Sequence, residues 1–112
     1  MSELTLATIR AAHARIQPHI HRTPVLKSSI LNRQLGAEIF FKCENLQKVG
    51  AFKARGACNA VMSLTDEQAR RGVITHSSGN PGAALAWAAG LRGIKATIVV
   101  PNNAPRPKKF AI

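Results

Sequence analysis

Two short segments carry most of the chemistry that this sequence could perform. Residues 50–57 read Gly-Ala-Phe-Lys-Ala-Arg-Gly-Ala, so that Lys53 lies between an aromatic ring and small residues where a loop is predicted to become a helix. Residues 75–82 read Thr-His-Ser-Ser-Gly-Asn-Pro-Gly and join a predicted strand to a predicted helix. The first segment offers an amine, and the second offers hydroxyls, an amide and backbone N–H groups. Together they could hold an aldehyde as a Schiff base and bind a small carboxylate.

Lys53 must lose its proton before its amine can attack a carbonyl group. Partial burial and a nearby cation both favour the neutral amine. Phe52 and Ala54 flank the lysine, and Arg55 follows two positions on. The same pattern also fits an ordinary surface lysine at the start of a helix, so this residue alone does not decide between the two interpretations.

Residues 77–80, here called the serine loop, are more informative because they lead into a helix N-terminus. Free N–H groups and the helix dipole attract anions at such a position. Gly79 allows close approach of a ligand to the backbone. Asn80 or Ser78 could cap the helix, with Pro81 in its first turn. A plain helix cap without a ligand is the alternative interpretation of this loop.

The elements that must position these loops follow an α/β pattern. A short buried strand is predicted at 72–76, a helix at 81–91 and a strand at 95–100. This order and length are typical of a βαβ unit, whose strands are parallel. In open parallel sheets ligands bind beyond the carboxyl ends of the strands, which is where the serine loop falls.

The first half of the chain is predicted to form helices around one strand. Hydrophobic periodicity and helix caps predict the following elements: a helix from Thr5 to about residue 16, an extended connector at 21–26, a short helix capped by Ser28 or Ser29 and ended by Gly36, a strand at 38–43, a helix at 52–64 and a capped short helix from Thr65. The strand therefore leads through a loop to the helix that carries Lys53.

Composition limits the classes of partner. The chain has 112 residues and a formal charge of +11, from 16 Lys and Arg against 5 Asp and Glu. A basic balance can indicate nucleic-acid binding. Here the basic residues are spread from Arg10 to Lys109 and aromatic residues that could stack on bases are scarce, so we expect no nucleic-acid partner.

Cysteine and histidine placement gives no sign of a disulfide framework or a metal site. Cys43 and Cys58 form no C-x-x-C pair, and we expect both to be reduced core residues. The histidines show no ligand spacing, so no metal is expected. No apolar run approaches membrane-spanning length, and the N-terminus lacks a signal-peptide core. These features predict a cytoplasmic protein without a membrane partner.

The two loops and their flanks together resemble the fold-type II pyridoxal-phosphate enzymes, the serine/threonine dehydratase and serine racemase family. The similarity rests on residues 41–57 and 75–80, with flanks at 22–26 and 98–101 in the same order. It covers nearly the whole chain. It implies an α/β fold in which a parallel sheet is flanked by helices, present here as an incomplete fold-type II architecture. Residues 1–65 would begin the large cofactor-binding domain, and residues 66–112 would begin the small domain.

The resemblance also implies roles for individual residues. Lys53 would hold pyridoxal 5'-phosphate as a Schiff base and move the α-proton, with Phe52 packed beside the cofactor. Asn80 would donate to the hydroxyl group of the cofactor ring. The substrate carboxylate would be bound by Ser77, Ser78, Gly79 and Asn80, and Ser78 resembles the hydroxyl that acts opposite the lysine in racemases. The substrate would be a small hydroxy-amino acid, and full-length relatives would be homo-oligomers.

In the racemase branch, four residues resemble part of a nucleotide effector site: Ser28, Ser29, Ile30 and Lys48. Val49 stands where those members carry a hydroxyl residue, which argues against ATP binding here. A divalent cation would also belong to that branch, but its ligands are not in this chain.

Two departures from the family pattern bear on activity. Pro81 replaces a usual histidine, which removes one N–H and one imidazole from the serine loop, so we expect weakened substrate or cofactor affinity. The glycine-rich loop that holds the cofactor phosphate is absent from the sequence. We therefore expect the 112 residues alone to be marginally stable and inactive. The alternative is a non-catalytic relative that binds a small anion or a full-length partner.

Overall fold

A computed structural model describes residues 4–77 and 79–103 and shows five helices and four short strands in this part of the chain. The elements in chain order are α1 (Leu6–Ile16), β1 (Val25–Leu26), α2 (Ser29–Leu35), β2 (Phe41–Lys42), α3 (Lys53–Met62), α4 (Asp66–Arg70), β3 (Val73–His76), α5 (Asn80–Arg92) and β4 (Ala96–Val99). Two 3-10 turns, Glu44–Leu46 and Lys48–Gly50, fill the segment between β2 and α3.

The predicted βαβ unit is confirmed. Strands β3 and β4 pair in parallel from Val73 opposite Ala96 to His76 opposite Val99, and α5 connects them. Gly72 enters β3 with φ +76°, and a Cβ on it would lie 2.7 Å from the carbonyl oxygen of Lys95. Glycine is therefore required on both conformational and steric grounds at the start of this sheet.

The N-terminal strands are shorter than predicted. Only Phe41 and Lys42 of the predicted strand 38–43 form a ladder, in antiparallel pairing with Leu26 and Val25. The length of β2 is limited because its partner β1 has only two residues.

The predicted burial of residues 72–76 is wrong. Strand β3 alternates half-buried and exposed residues, because β4 is its only neighbouring strand within the described residues.

Helix boundaries follow the predicted caps closely. Thr5 caps α1, Ser28 caps α2 by accepting from the Leu31 N–H, and Thr65 with Gln68 forms a capping box at α4. Helix α2 ends at Gly36, whose left-handed backbone is typical of a helix C-terminus. Because these signals are local, the sequence is sufficient to read them.

The core is built where α3 packs against α5. Small and aliphatic side chains form it: Ala54, Cys58 and Val61 from α3, and Ala83, Ala84, Ala88 and Ala89 from α5. Alanine faces of this kind allow two helix backbones to approach closely. Burial raises the pKa of the Cys58 thiol, which agrees with a reduced core residue. Cys43 is only half-buried, against expectation, and its Sγ donates to the carbonyl oxygen of Phe41.

Candidate functional site

Lys53 is the first residue of α3, one residue after the predicted helix start at 52, and its side chain is exposed. Its Nζ lies 4.9 Å from the centroid of the Phe52 ring, a cation–π contact. Ala51 and Ala54 on either side of this pair are buried. The backbone at the helix start is therefore anchored in the core, while the amine and the aromatic ring face outward.

Arg55 does not serve as the free neighbouring cation that the sequence suggested. Its Nε and Nη2 donate to the two carboxylate oxygens of Glu44 at 2.8 and 2.7 Å. This bidentate pair is partly buried, with 29% of the Arg55 side chain and 19% of the Glu44 side chain exposed. The charge of Arg55 is thus matched by Glu44. Two residues span about 200° around a helix, so Arg55 lies on nearly the opposite side of α3 from Lys53.

Thr23 and Lys42 complete this cluster. The buried Thr23 hydroxyl donates to Glu44 Oε1 at 2.6 Å, and Arg55 Nη2 lies 3.3 Å from the same hydroxyl. Lys42 Nζ donates to the Thr23 carbonyl oxygen at 2.6 Å. The hydrogen bonds from Arg55 hold the pKa of Glu44 at about 2, against an ordinary 4.5, although partial burial opposes the shift. Glu44 in turn raises the pKa of Arg55.

Residues 44–53, here called the lysine loop, are also held by Gln47. This buried side chain accepts from the backbone N–H groups of His21 and Lys48, each at 2.9 Å, and donates to the His21 carbonyl oxygen at 2.8 Å. The loop then turns through Val49 at φ 55° and Gly50 at φ 66°. A left-handed conformation is costly for a β-branched residue, so Val49 stores local strain next to Lys53.

The serine loop is held mainly by backbone contacts. The Ser77 N–H donates to the Val99 carbonyl oxygen at 3.0 Å, and the Gly79 N–H donates to the Ser77 hydroxyl at 3.2 Å. Gly79 occupies the N-cap of α5, with Asn80 and Pro81 as the next two residues. The prediction that Asn80 caps the helix is therefore wrong, because Asn80 already belongs to its first turn. Ser78, the other predicted cap and catalytic hydroxyl, lies outside the described residues.

The two loops lie at the same end of a helix pair. Arg92, the last residue of α5, donates to the carbonyl oxygens of Val61, near the end of α3, and of Leu64, just beyond it, both at 2.7 Å. The 3-10 turn Lys48–Gly50, which precedes α3, also contacts α5. Helices α3 and α5 therefore run in the same direction, and the positive ends of both dipoles lie on the side of Lys53 and the serine loop.

A cavity of about 360 Å³ opens at the carboxyl end of the parallel strands and is lined by His76, Ser77, Val99, Val100 and Pro101. This is the edge of the sheet at which ligands are expected in such folds. Lys53 is not among the residues that line it. Of the predicted site residues in the described chain, Ser77 alone lines this cavity, while Phe52, Lys53 and Asn80 are exposed at helix starts.

The suggested effector residues are dispersed over two elements. Ser28 caps α2, Ser29 and Ile30 are exposed in its first turn, and Lys48 is half-buried in the lysine loop. Their role in nucleotide binding stays a prediction. Within residues 4–77 and 79–103, no group of three or more His, Cys, Asp and Glu residues could hold a metal ion. No helix in those residues is long and apolar enough to cross a bilayer.

Comparison with known proteins identifies the class of protein to which this chain belongs. The model of the pyridoxal-phosphate dependent enzyme family matches residues 16–112, and the chain belongs to this family. It is 54% identical to a serine racemase from Dictyostelium discoideum, covering 100% of this chain and 35% of that protein. It is 56% identical over 108 residues to a β-hydroxyaspartate dehydratase from Paracoccus denitrificans, covering 96% of this chain and 34% of the relative.

A solved structure of maize serine racemase superposes with a TM-score of 0.94 at 53% identity, and the match covers 98% of this chain and 33% of that one. The α/β fold and the fold-type II resemblance are thereby confirmed. The chain spans about a third of the length of the relatives it matches.

Sequence reasoning missed the side chains that fix the lysine loop. Thr23 and Gln47 are the buried polar residues of the described chain, yet neither belongs to a recognisable motif. Glu44 is likewise in no motif that would identify Arg55 and Thr23 as its partners. The available signal was a lone carboxylate among basic residues, since a partly buried charge in a helical domain requires a counter-charge.

Proposed function

We propose that this chain is the N-terminal part of a pyridoxal-phosphate-dependent enzyme acting on a small hydroxy-amino acid, either as a serine/threonine dehydratase (an ammonia-lyase) or as a serine racemase. The observation that carries the proposal is the placement of the Lys53 amine and the serine loop at the same end of parallel helices α3 and α5. Relatives named as serine racemase and β-hydroxyaspartate dehydratase support this substrate class.

The residues present fit part of such a cofactor. An accessible amine stands at a helix start beside an aromatic ring, where the positive end of the dipole favours anionic groups. When bound, pyridoxal phosphate supplies an electron sink for the carbanion that forms at the substrate α-carbon. The glycine-rich phosphate loop of the family is not in these 112 residues. The fit to the cofactor therefore concerns only the Lys53 amine and the Phe52 ring.

The roles we assign to this chain's residues concern binding and proton movement. Lys53 holds the cofactor and transfers the α-proton, and Phe52 packs beside the ring. Asn80 donates to the ring hydroxyl. Ser77, Ser78 and Gly79 bind the substrate carboxylate, with Ser78 as the acid or base on the opposite face in a racemase. The N-terminus of α5 supports the carboxylate role, because its N-cap residue Gly79 provides no side-chain cap and the positive end of the helix dipole lies there.

The remaining parts of the proposal concern the whole protein. We place the boundary between the large and small domains near residue 65, and we expect the complete enzyme to form homo-oligomers in the cytoplasm. By itself the 112-residue chain is expected to bind cofactor weakly and to turn over no substrate, because it lacks the phosphate loop.

A non-catalytic relative that binds a small anion or a full-length partner is the second candidate. Pro81 favours it, because proline at the second position of α5 removes a donor from the anion-binding terminus.

Titration with pyridoxal phosphate separates these candidates. The enzyme proposal predicts a Schiff-base absorbance band in the wild-type chain that disappears in Lys53→Ala. Lys95→Ala, which removes another exposed lysine, is the matched control and should keep the band. If the band is equally strong in Lys53→Ala, or does not form even with a large excess of pyridoxal phosphate, the enzyme proposal is refuted in favour of the non-catalytic one.

A further inference from the structure

Glu44 and Arg55 connect the two ends of the segment that carries Lys53. Glu44 follows β2 after one intervening residue, Cys43, and Arg55 lies in the first turn of α3, two residues after Lys53. Their two hydrogen bonds of 2.8 and 2.7 Å therefore close the lysine loop at its base. Any shift of the first turn of α3 relative to β2 must stretch this bidentate pair.

The pair is held in a fixed orientation by a third element. The Thr23 hydroxyl, in the connector before β1, donates to Glu44 at 2.6 Å and lies 3.3 Å from Arg55 Nη2. Both charged side chains are mostly shielded from solvent, so water competes poorly for these bonds. A planar guanidinium that meets both oxygens of one carboxylate restricts rotation as well as distance.

Lys53 itself lacks such restraints. Within the described residues its amine makes no hydrogen bond or ion pair, and its contact is with the adjacent Phe52 ring. The position of the amine therefore depends on the backbone of the first turn of α3. That backbone is held by buried Ala51 and Ala54 and by the Glu44–Arg55 pair.

We propose that Glu44 and Arg55 are positioning residues for Lys53: the bidentate pair, oriented by Thr23, sets the place of the amine at the start of α3. This inference rests on the proposed function, because it assumes that Lys53 forms the Schiff base. The pair acts through the backbone of α3 and touches neither cofactor nor substrate in this role.

The test measures pyridoxal phosphate binding by the Lys53-dependent absorbance band, at a temperature where circular dichroism shows each variant to be folded. Glu44→Gln removes the carboxylate charge. Arg55→Lys keeps the positive charge but removes the guanidinium that makes the bidentate contact. Both should weaken the apparent affinity or slow band formation by roughly tenfold, since small misplacement of a reacting group is costly. Thr23→Val keeps the ion pair and should give a smaller loss of about twofold to threefold.

Glu67→Gln is the matched control, because it breaks the exposed ion pair with Arg71, which lies beyond α3 and outside the lysine loop. It should leave the band unchanged. A purely structural role would lower the melting temperature of Glu44→Gln and Arg55→Lys without altering cofactor binding below the transition. That result would overturn the inference while leaving the Schiff-base proposal intact.

If Glu44→Gln does not fold, Arg55→Lys and Thr23→Val still decide the question by the same titration. A wild-type chain without any Lys53-dependent band would refute the proposed function and, with it, the positioning role. Wild-type binding in Arg55→Lys, with the band present, would refute the positioning role alone.

Discussion

The lysine loop and the serine loop are built in different ways although they lie at the same end of the molecule. Side chains from distant positions fix the lysine loop: Gln47 binds His21, and Glu44 joins Thr23 to Arg55. The serine loop instead depends on the β3–β4 ladder and on a short turn within itself. The segment that carries Lys53 is thus cross-linked to distant parts of the chain, whereas the serine loop is held by its own turn and by the adjacent strand.

Acid should affect the lysine loop most. Glu44 has a pKa of about 2 in the folded chain against 4.5 ordinarily, so it stabilises the fold fully above pH 4.5 and less as the pH falls toward 2. We expect about 3 kcal/mol of unfolding free energy to be lost over this range. Urea unfolding from pH 6 to pH 2 would measure it. Glu44→Gln should lack this component, and an identical pH profile in that variant would contradict the account.

The β3–β4 ladder that supports the serine loop should be sensitive to substitution at Gly72, immediately before β3. In Gly72→Ala the new methyl group would meet the Lys95 carbonyl oxygen, and the left-handed backbone would be strained. We expect the free energy of unfolding to fall by about 2 kcal/mol more than in the control Gly93→Ala. Gly93 has a similar φ of 67°, but a Cβ there would have no neighbour within 4 Å. Equal losses in thermal melts of the two variants would argue against the close approach at Gly72.

Pro81 should limit the anion affinity of the serine loop. Pro81→Ala restores one backbone N–H, and Pro81→His restores the N–H together with an imidazole. We expect Pro81→His to bind the substrate carboxylate about tenfold more tightly than wild type, which corresponds to one charge-assisted hydrogen bond.

Calorimetric titration of the pyridoxal-phosphate-loaded chain with L-serine would measure this affinity. Comparison with Pro81→Ala separates the contribution of the backbone N–H from that of the imidazole. Unchanged affinity in both variants would show that this N–H does not contribute to binding.

The smallest effect is expected from relief of strain at Val49. Asparagine tolerates a left-handed backbone better than valine, so Val49→Asn should stabilise the chain by about 1 kcal/mol. Val25→Asn is the control, because Val25 is exposed in an extended strand and should gain nothing. A destabilised Val49→Asn in urea unfolding would show that the valine side chain contributes more than its backbone costs.

These contrasts also explain what the sequence could predict. Caps such as Thr5, Ser28 and Thr65 and the βαβ order depend on neighbouring residues, and all of them were predicted. The start of α3 at Lys53 was placed to within a residue for the same reason.

The Glu44–Arg55–Thr23 cluster could not be predicted, because its members come together only when the chain folds. Thr23 lies 21 residues from Glu44 and 32 from Arg55. Strand burial was also misjudged, since it depends on how many neighbours a strand has: Ile74 in β3 is 71% exposed despite its apolar sequence. Local pattern thus gave the elements of the site, and tertiary contacts decided how rigidly each is held.

The most direct test of the central claim is to find which lysine captures the cofactor. The wild-type chain would be incubated with a limiting amount of pyridoxal phosphate, reduced with borohydride, digested and mapped by mass spectrometry. The account predicts that the reduced adduct lies on Lys53 in large excess over the other lysines. An adduct spread evenly over Lys27, Lys42, Lys48 and Lys95 would contradict it.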